Sequence, residues 1–82
     1  MSRFYTTKKD PAAADITIAY GIDDGGWFYQ EFNEDEDCIM DLDSRFSRGF
    51  GRGKLVELLE NTTAPPAHIR NIALDLDPGD KR

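Results

Sequence analysis

The chain is poor in the residues from which most catalytic and metal sites are built. It has one cysteine and one histidine among 82 residues. Cys38 cannot close an internal disulfide and is expected to be a small core residue. One thiol and one imidazole are too few ligands for a standard transition-metal site, and no set of nucleophile, base and orienting group can be assembled around His68. We therefore expect a non-enzymatic protein without catalytic residues, metal or cofactor.

Long apolar runs are missing as well. No stretch approaches the roughly 18 apolar residues of a membrane-spanning helix, and residues 1–9 lack the apolar run and cleavage site of a signal peptide. These absences, together with the lone cysteine, indicate a cytoplasmic protein that does not bind membranes. With 39% hydrophobic and 32% charged residues, the chain is too apolar for a disordered tail and fits one domain with a small core.

The glycine-rich segment around Gly53 lacks the spacing of a phosphate-binding loop. Gly53 and Lys54 are similar to the end of a P-loop, in which a glycine stands five residues earlier and a serine or threonine follows the lysine. Arg48 and Leu55 occupy those two positions. The glycine pattern of a dinucleotide-binding turn is missing too. We therefore expect no nucleotide cofactor.

Charge is strongly segregated along the middle of the chain, although the net charge is only −6. Seven acidic residues with no base among them fall within residues 31–43: Glu31, Glu34, Asp35, Glu36, Asp37, Asp41 and Asp43. The next eleven residues carry four bases and no acid: Arg45, Arg48, Arg52 and Lys54. The two patches either pair with each other across the surface or form a dipolar docking face for a partner.

Alternating side chains predict a three-stranded antiparallel β-meander over residues 15–43. The clearest alternation is carried by four apolar residues: Ile16, Ile18, Tyr20 and Ile22. Residues 23–26 supply aspartates and glycines for a tight turn. Residues 27–32 and 38–43 form the second and third strands. In the third strand Cys38, Met40 and Leu42 alternate with Ile39, Asp41 and Asp43, and Cys38 points into the core. Residues 1–14 show no sustained alternation and are expected to be a lead-in to the domain.

The length of the first hairpin loop decides which aromatic residues are buried. A loop of three or five residues turns Phe28 and Phe32 towards the core. Trp27, Tyr29 and Glu31 then lie outside, and a loop of two or four residues reverses the assignment. We favour the first arrangement because it avoids burying Glu31 without a partner.

The rest of the chain predicts a loop and two short helices. Residues 44–53 are basic and glycine-rich, and their glycines break any regular pattern. Leu55 and Leu59 share one helical face, and a second helix is expected to begin near Pro65. The helices of residues 54–77 then cover one face of the sheet. The predicted fold class is α+β, with a three-stranded antiparallel β-meander covered by two C-terminal helices in a single domain.

Two segments of the chain, residues 16–32 and 55–76, resemble small uncharacterised accessory proteins that bacterial plasmids, integrated elements and phages carry. The resemblance implies an accessory or counter-defence role. CRISPR inhibitors that block a basic nucleic-acid channel are one instance of that role. The resemblance assigns no functional residue to this chain.

The leading hypothesis is a protein-binding module with an acidic aromatic surface. Large aromatic side chains are common at the centres of interfaces, and a rim of acids suits a basic protein surface that handles nucleic acid. The predicted contact residues are Trp27, Tyr29, Glu31, Glu34, Asp35, Glu36 and Asp37. The predicted partner is therefore a protein with a basic surface.

Two other functions stay open. The basic loop is similar to the arginine-glycine segments that bind RNA, with Phe46 and Phe50 interleaved for stacking on bases. Its nucleic-acid contacts would be Arg45, Arg48, Arg52 and Lys54. One of the two phenylalanines could instead fill the core beneath the sheet. The third function is self-association, in which a homodimer buries the aromatic surface.

Overall fold

The computed structural model describes residues 2–24 and 26–81, so Met1 of the predicted lead-in and Gly25 of the predicted turn lie outside it. Four antiparallel strands form one sheet in the order β1-β2-β3-β4: β1 Ser2–Thr7, β2 Thr17–Asp23, β3 Gly26–Phe32 and β4 Cys38–Asp43. Two helices follow: α1 Arg52–Leu59 and α2 Pro66–Ala73. The α+β class, the antiparallel sheet and the two helices are confirmed. The number of strands was predicted wrongly, since the sheet has four and not three.

The additional strand is β1, which is formed by residues expected to be a lead-in. It pairs with β2 along its whole length, from Ser2 opposite Ile22 to Thr7 opposite Thr17. Phe4 is the one large apolar side chain that β1 packs against the core. The alternation that marks β2 is therefore almost absent from β1, and pairing with β2 defines the strand.

The hairpin formed by β2 and β3 has the register opposite to the one that the sequence analysis favours. Asp23 pairs with Gly26, so the loop has two residues, and Tyr29 lies opposite Tyr20. Trp27 and Tyr29 consequently join the isoleucines of β2 on the face that the helices cover, where 8% and 2% of their surfaces are exposed. The expectation that these two aromatic side chains form an exposed surface is wrong.

Glu31 lies on the same inner face and is 6% exposed, against the prediction that it stays outside. Its Oε1 is 3.3 Å from Lys8 Nζ, and its Oε2 accepts a 2.7 Å hydrogen bond from the Tyr29 hydroxyl. A buried carboxylate is costly chiefly when it has no partner. Because Lys8 and Tyr29 provide two, the argument against this register does not hold.

The core lies between the inner face of the sheet and the helices. Its buried members are Ile18, Tyr20, Trp27, Tyr29, Phe50, Leu55, Leu59, Ala64 and Ile72. Phe50 comes from the loop before α1 and fills the core. Phe46, in the same loop, is 81% exposed. The two phenylalanines of the basic loop therefore have different roles.

Cys38 is exposed, although it was expected in the core. The pairing of β3 with β4 shifts between Glu31 and Phe32, so that Cys38 lies opposite Phe32 and not one position further along. Such a β-bulge inserts one residue into a strand and changes the face on which the preceding side chains lie. The strict alternation assumed for Cys38, Met40 and Leu42 is broken for this reason.

The two helices begin close to the predicted positions. α2 has a proline in its first turn, where the missing amide hydrogen costs nothing. It ends at Ala73, and Asp75 adopts a left-handed backbone conformation with a φ of 63°. The predicted helical region, which extended to residue 77, is therefore too long at its end. No helix among the described residues is long and apolar enough to cross a membrane.

Candidate protein-binding surface

The structure divides the predicted contact residues between the inside and the outside of the molecule. Trp27, Tyr29 and Glu31 face the core, as described above. Residues 34–37, hereafter the acidic turn, connect β3 to β4 and are fully on the surface. Four of the five predicted acids are therefore exposed, while Glu31 and both aromatic residues are buried.

Asn33 holds the backbone of the acidic turn in a fixed shape. Its side-chain Oδ1 accepts hydrogen bonds from the amides of Asp35 and Asp37, each 2.9 Å long. Its own amide donates to the Asp37 carbonyl at 3.0 Å, and its carbonyl accepts from the Glu36 amide at 3.0 Å. Glu36 has a φ of 65°, which is the left-handed conformation that such a turn requires. The four carboxylates of the turn are thus presented on an ordered backbone.

No lysine or arginine within residues 2–24 and 26–81 forms an ion pair with a carboxylate of the acidic turn. Two other members of the seven-acid block do have basic partners, since Glu31 pairs with Lys8 and Asp43 with Arg45. Asp41 accepts a 3.2 Å hydrogen bond from the Gln30 amide group. The negative potential of the block is consequently concentrated at the acidic turn.

Arg45 and Lys54, two of the four bases in the predicted nucleic-acid contact set, pair with carboxylates outside the acidic turn. Arg45 donates from Nε and Nη2 to the two oxygens of Asp43 at 3.1 and 2.9 Å, and its Nη2 lies 3.6 Å from Asp23. The hydrogen bonds from Arg45 lower the pKa of Asp43, and the same contact raises the pKa of Arg45. Lys54 pairs with Glu57 at 3.5 Å. The basic loop does not neutralise the acidic turn.

The other two bases of the predicted nucleic-acid contact set, Arg48 and Arg52, do not pair with the acids that bind Arg45 and Lys54. Arg52 is 3.9 Å from Asp75 and also donates to the Ala73 carbonyl. Arg48 is exposed and forms no ion pair within the described part of the chain. The four bases therefore do not form one continuous free patch.

Exposed apolar side chains follow the acidic turn directly. Ile39 and Met40 at the start of β4 are 53% and 40% exposed. β4 is the last strand of the sheet and pairs with β3 alone, so one of its edges faces solvent. Sequence alternation indicated a strand here and assigned Met40 to the core. It could not show that the strand is terminal and that the helices leave Met40 partly uncovered.

Arg3 covers part of the outer face of the sheet. Phe28 lies there and not in the predicted inner position. The Arg3 guanidinium sits 5.3 Å from the centre of the Phe28 ring and 5.4 Å from that of Tyr5, and its Nη2 donates to Gln30 Oε1 at 2.8 Å. The guanidinium therefore shields Phe28, a favourable arrangement for a cation over a ring. Tyr5, on the same face, stays 62% exposed, so the shielding is confined to Phe28.

Two buried tyrosines make polar contacts on the inner face of the sheet. The Tyr20 hydroxyl is 2.7 Å from His68 Nδ1, and Phe4 packs against the His68 ring with centroids 4.6 Å apart. Burial raises the pKa of Tyr20 to about 12. Burial and the Glu31 carboxylate raise the pKa of Tyr29 as well. Both tyrosines stay protonated near neutral pH, where they act as hydrogen-bonding members of the core.

Metal-binding potential is low in the described residues: no three of their His, Cys, Asp or Glu side chains come together in a way that could hold an ion. The surface presents carboxylates, apolar side chains and a strand edge, all of which can make non-covalent contacts. Comparison of the chain with protein-family models, curated proteins and solved structures found no match.

Proposed function

We propose that this protein is a non-enzymatic binding module that docks on a basic surface of another protein. The observation that carries the proposal is the acidic turn, whose four carboxylates have no basic partner among residues 2–24 and 26–81 and stand beside exposed Ile39 and Met40. Charges of one sign attract a complementary surface, and desolvated apolar side chains hold it. The contact centre is thus the start of β4, in place of Trp27 and Tyr29.

The ordered backbone of the acidic turn supports this function. Association costs free energy when flexible groups are immobilised. Because Asn33 already fixes the turn through the amides of Asp35 and Asp37, little of that cost falls on the turn itself. A basic protein surface that normally binds nucleic acid has the matching charge, which agrees with a counter-defence or other inhibitory role.

Charge reversal tests the proposal in a pull-down. The protein is immobilised and exposed to a bacterial lysate, and captured proteins are quantified by mass spectrometry. In the test variant Glu34, Asp35 and Asp37 become lysine. The hydrogen bonds to Asn33 use backbone amides, so the turn is expected to keep its shape. Partners captured by the wild type should be lost from this variant.

A charge-matched control separates the acidic turn from net charge. Asp15, Glu57 and Glu60 are exposed acids on other parts of the chain, and replacing them with lysine also changes the net charge from −6 to zero. This control should retain the partners. Equal capture by both variants would show that the acidic turn is not the contact. Duplex DNA should displace the partner if its basic surface handles nucleic acid.

Direct nucleic-acid binding has weaker support. Arg45, Arg52 and Lys54 would have to exchange carboxylate partners for phosphates, and the acidic turn would repel the same backbone. A gel shift with DNA and RNA at low salt tests this alternative. A salt-sensitive shift that disappears when the arginines of the loop are replaced by alanine would favour it over protein binding.

A further inference from the structure

The free edge of β4 suggests how a basic partner is held. β1 is the other terminal strand of the sheet. Residues 61–63 cover one end of its outer edge, where the Thr63 amide donates a 2.8 Å hydrogen bond to the Thr7 carbonyl. Most residues of β4, Cys38–Asp43, are exposed, and the loop that follows covers the strand edge only at Asp43. An uncovered strand edge presents backbone amide and carbonyl groups that can pair with another extended chain.

The register identifies which backbone groups of β4 are free. The Ser44 amide donates to the Trp27 carbonyl at 2.9 Å, which makes Ser44 and Trp27 a hydrogen-bonded pair. In an antiparallel pair of strands, hydrogen-bonded and non-hydrogen-bonded residues alternate along each strand. The amide and carbonyl of Leu42 therefore point towards β3, as those of Ser44 do. The amides and carbonyls of Asp41 and Asp43 point away from β3. Asp41 and Asp43 are thus the residues of this stretch that face the open edge.

The amide and carbonyl of Asp43 already have hydrogen-bond partners within the chain. The Asp43 amide donates to Ser47 Oγ at 3.0 Å, and its carbonyl accepts from the amides of Phe46 and Ser47 at 3.0 and 2.7 Å. No backbone hydrogen bond from the described residues closes the corresponding groups of Asp41. The open part of the edge is therefore short and centred on Asp41.

The side chains around Asp41 define the chemistry of a chain that could pair there. Asp41 lies opposite Gln30 on the outer face of the sheet, and its carboxylate has no basic partner in the described structure. Met40 and Leu42 lie on the inner face, and Met40 is partly uncovered. An added strand would place alternate side chains beside the Asp41 carboxylate and beside the two apolar residues.

We propose that β4 takes up an extended segment of its partner as a fifth strand, and that this segment alternates lysine or arginine with apolar residues. The inference rests on the proposed function, because it states how the basic partner makes contact. Basic side chains of the segment meet Asp41 and the acidic turn, and apolar ones cover Met40 and Leu42. A second copy of the chain is a poor occupant, because its own Asp41 and acidic turn would face like charges.

Two synthetic peptides test the proposal against the full-length, isotope-labelled protein at low salt. The first peptide alternates lysine with valine over nine residues. The second is the same peptide with every backbone amide N-methylated, so it carries the same charge and side chains without amide donors. Binding is followed by NMR titration, and hydrogen exchange is followed at the Asp41 amide. The unmethylated peptide should bind more tightly and should slow exchange at Asp41.

Two variants isolate the backbone contribution. Asp41→Asn removes the charge and keeps the amide, whereas Asp41→Pro removes both. Since this amide points away from β3, proline should leave the β3–β4 ladder intact. The peptide should bind Asp41→Pro at least about threefold more weakly than Asp41→Asn, the loss expected for one hydrogen bond. If Asp41→Pro does not fold, the exchange measurement on the wild type decides.

The outcomes distinguish the inference from the function on which it rests. Equal binding of both peptides without protection of Asp41 would overturn strand addition and leave charge-driven docking in place. Failure of both peptides to bind at low salt would count against both proposals. Protection of Asp41 that grows with protein concentration in the absence of peptide would show that a second copy occupies the edge, which also overturns the inference.

Discussion

Glu31 shows how a single non-local contact can reverse a local prediction. Its carboxylate is buried on the inner face of β3, where Lys8 Nζ lies 3.3 Å away and the Tyr29 hydroxyl donates a 2.7 Å hydrogen bond. Lys8 stands 23 positions earlier in the chain, in a segment without a strand pattern. The contact between the two side chains makes the burial of Trp27 and Tyr29 compatible with a charged neighbour.

Removing Lys8 should therefore destabilise the fold more than removing an exposed lysine. Lys8→Met leaves the buried Glu31 carboxylate with one hydrogen-bond donor, and we expect the free energy of unfolding to fall by about 1–3 kcal/mol. Urea denaturation of Lys8→Met, Glu31→Gln and the double variant measures the coupling. The double variant should recover part of the loss. Strictly additive effects would show that the two side chains do not interact in solution.

The raised pKa of Tyr29 predicts that the folded protein loses stability at alkaline pH. Its pKa is raised above the ordinary value of 10.0 by burial first and by the Glu31 carboxylate second. The unfolded chain therefore loses the tyrosine proton before the folded chain does. The contribution of protonated Tyr29 to the free energy of unfolding is therefore complete below pH 10 and is lost as the pH rises further. Tyr29→Phe should be less stable than the wild type at neutral pH, with a difference that narrows between pH 10 and 11 in denaturant titrations. A difference independent of pH would contradict this.

At the scale of elements, the strands and helices differ in how much of them the sequence predicts. Ile18, Tyr20 and Ile22 alternate strongly enough to define β2, and the leucines of α1 define a helical face. β1 could not be predicted in this way, because Phe4 is the one large apolar residue on its inner face. Its existence depends on pairing with β2, a contact that no local pattern encodes.

The hairpin and the bulge explain why the candidate site was only half predictable. Acidic residues crowd residues 34–37 in the sequence itself, and these remain exposed. Which aromatic side chains accompany them depends on a loop of two residues, since one residue more or less exchanges the two faces of β3. The exposure of Cys38 depends on a β-bulge, which alternation cannot reveal.

Gly21 fixes the distance between β1 and β2. A β-carbon at this position would lie 2.9 Å from the carbonyl carbon of Ser2 and closer still to its oxygen. Gly21→Ala must therefore displace β1, at a cost of roughly 1–3 kcal/mol in unfolding free energy. Gly53→Ala is the matched control: it lies in α1 with nothing within 4 Å of the new methyl group, and should stabilise the protein by up to about 1 kcal/mol. Thermal unfolding of both variants measures the contrast, and equal effects would refute the close approach.

At the scale of the whole molecule, the distribution of charge matters more than its total. Arg45, Arg52 and Lys54 pair with acids close to them, and no base in the described part of the chain pairs with the acidic turn before β4. We expect the acids of the turn and of β4 to hinder pairing of the open edge with another copy, because like charges repel across an antiparallel pair. Under the proposed function, the charges that recruit a basic partner are therefore also expected to discourage self-association.

Removing the acid at the centre of the edge should consequently make the protein associate with itself. Asp41→Val joins Ile39, Met40 and Leu42 into an uninterrupted apolar strand at an open edge, the pattern expected to drive edge-to-edge pairing. Sedimentation velocity over a range of concentrations should show a monomer for the wild type and larger species for this variant. Asp15→Val removes one exposed acid outside the strands and should stay monomeric. If the wild type already sediments as a dimer, or if Asp41→Val remains a monomer, the acids of β4 do not protect its edge.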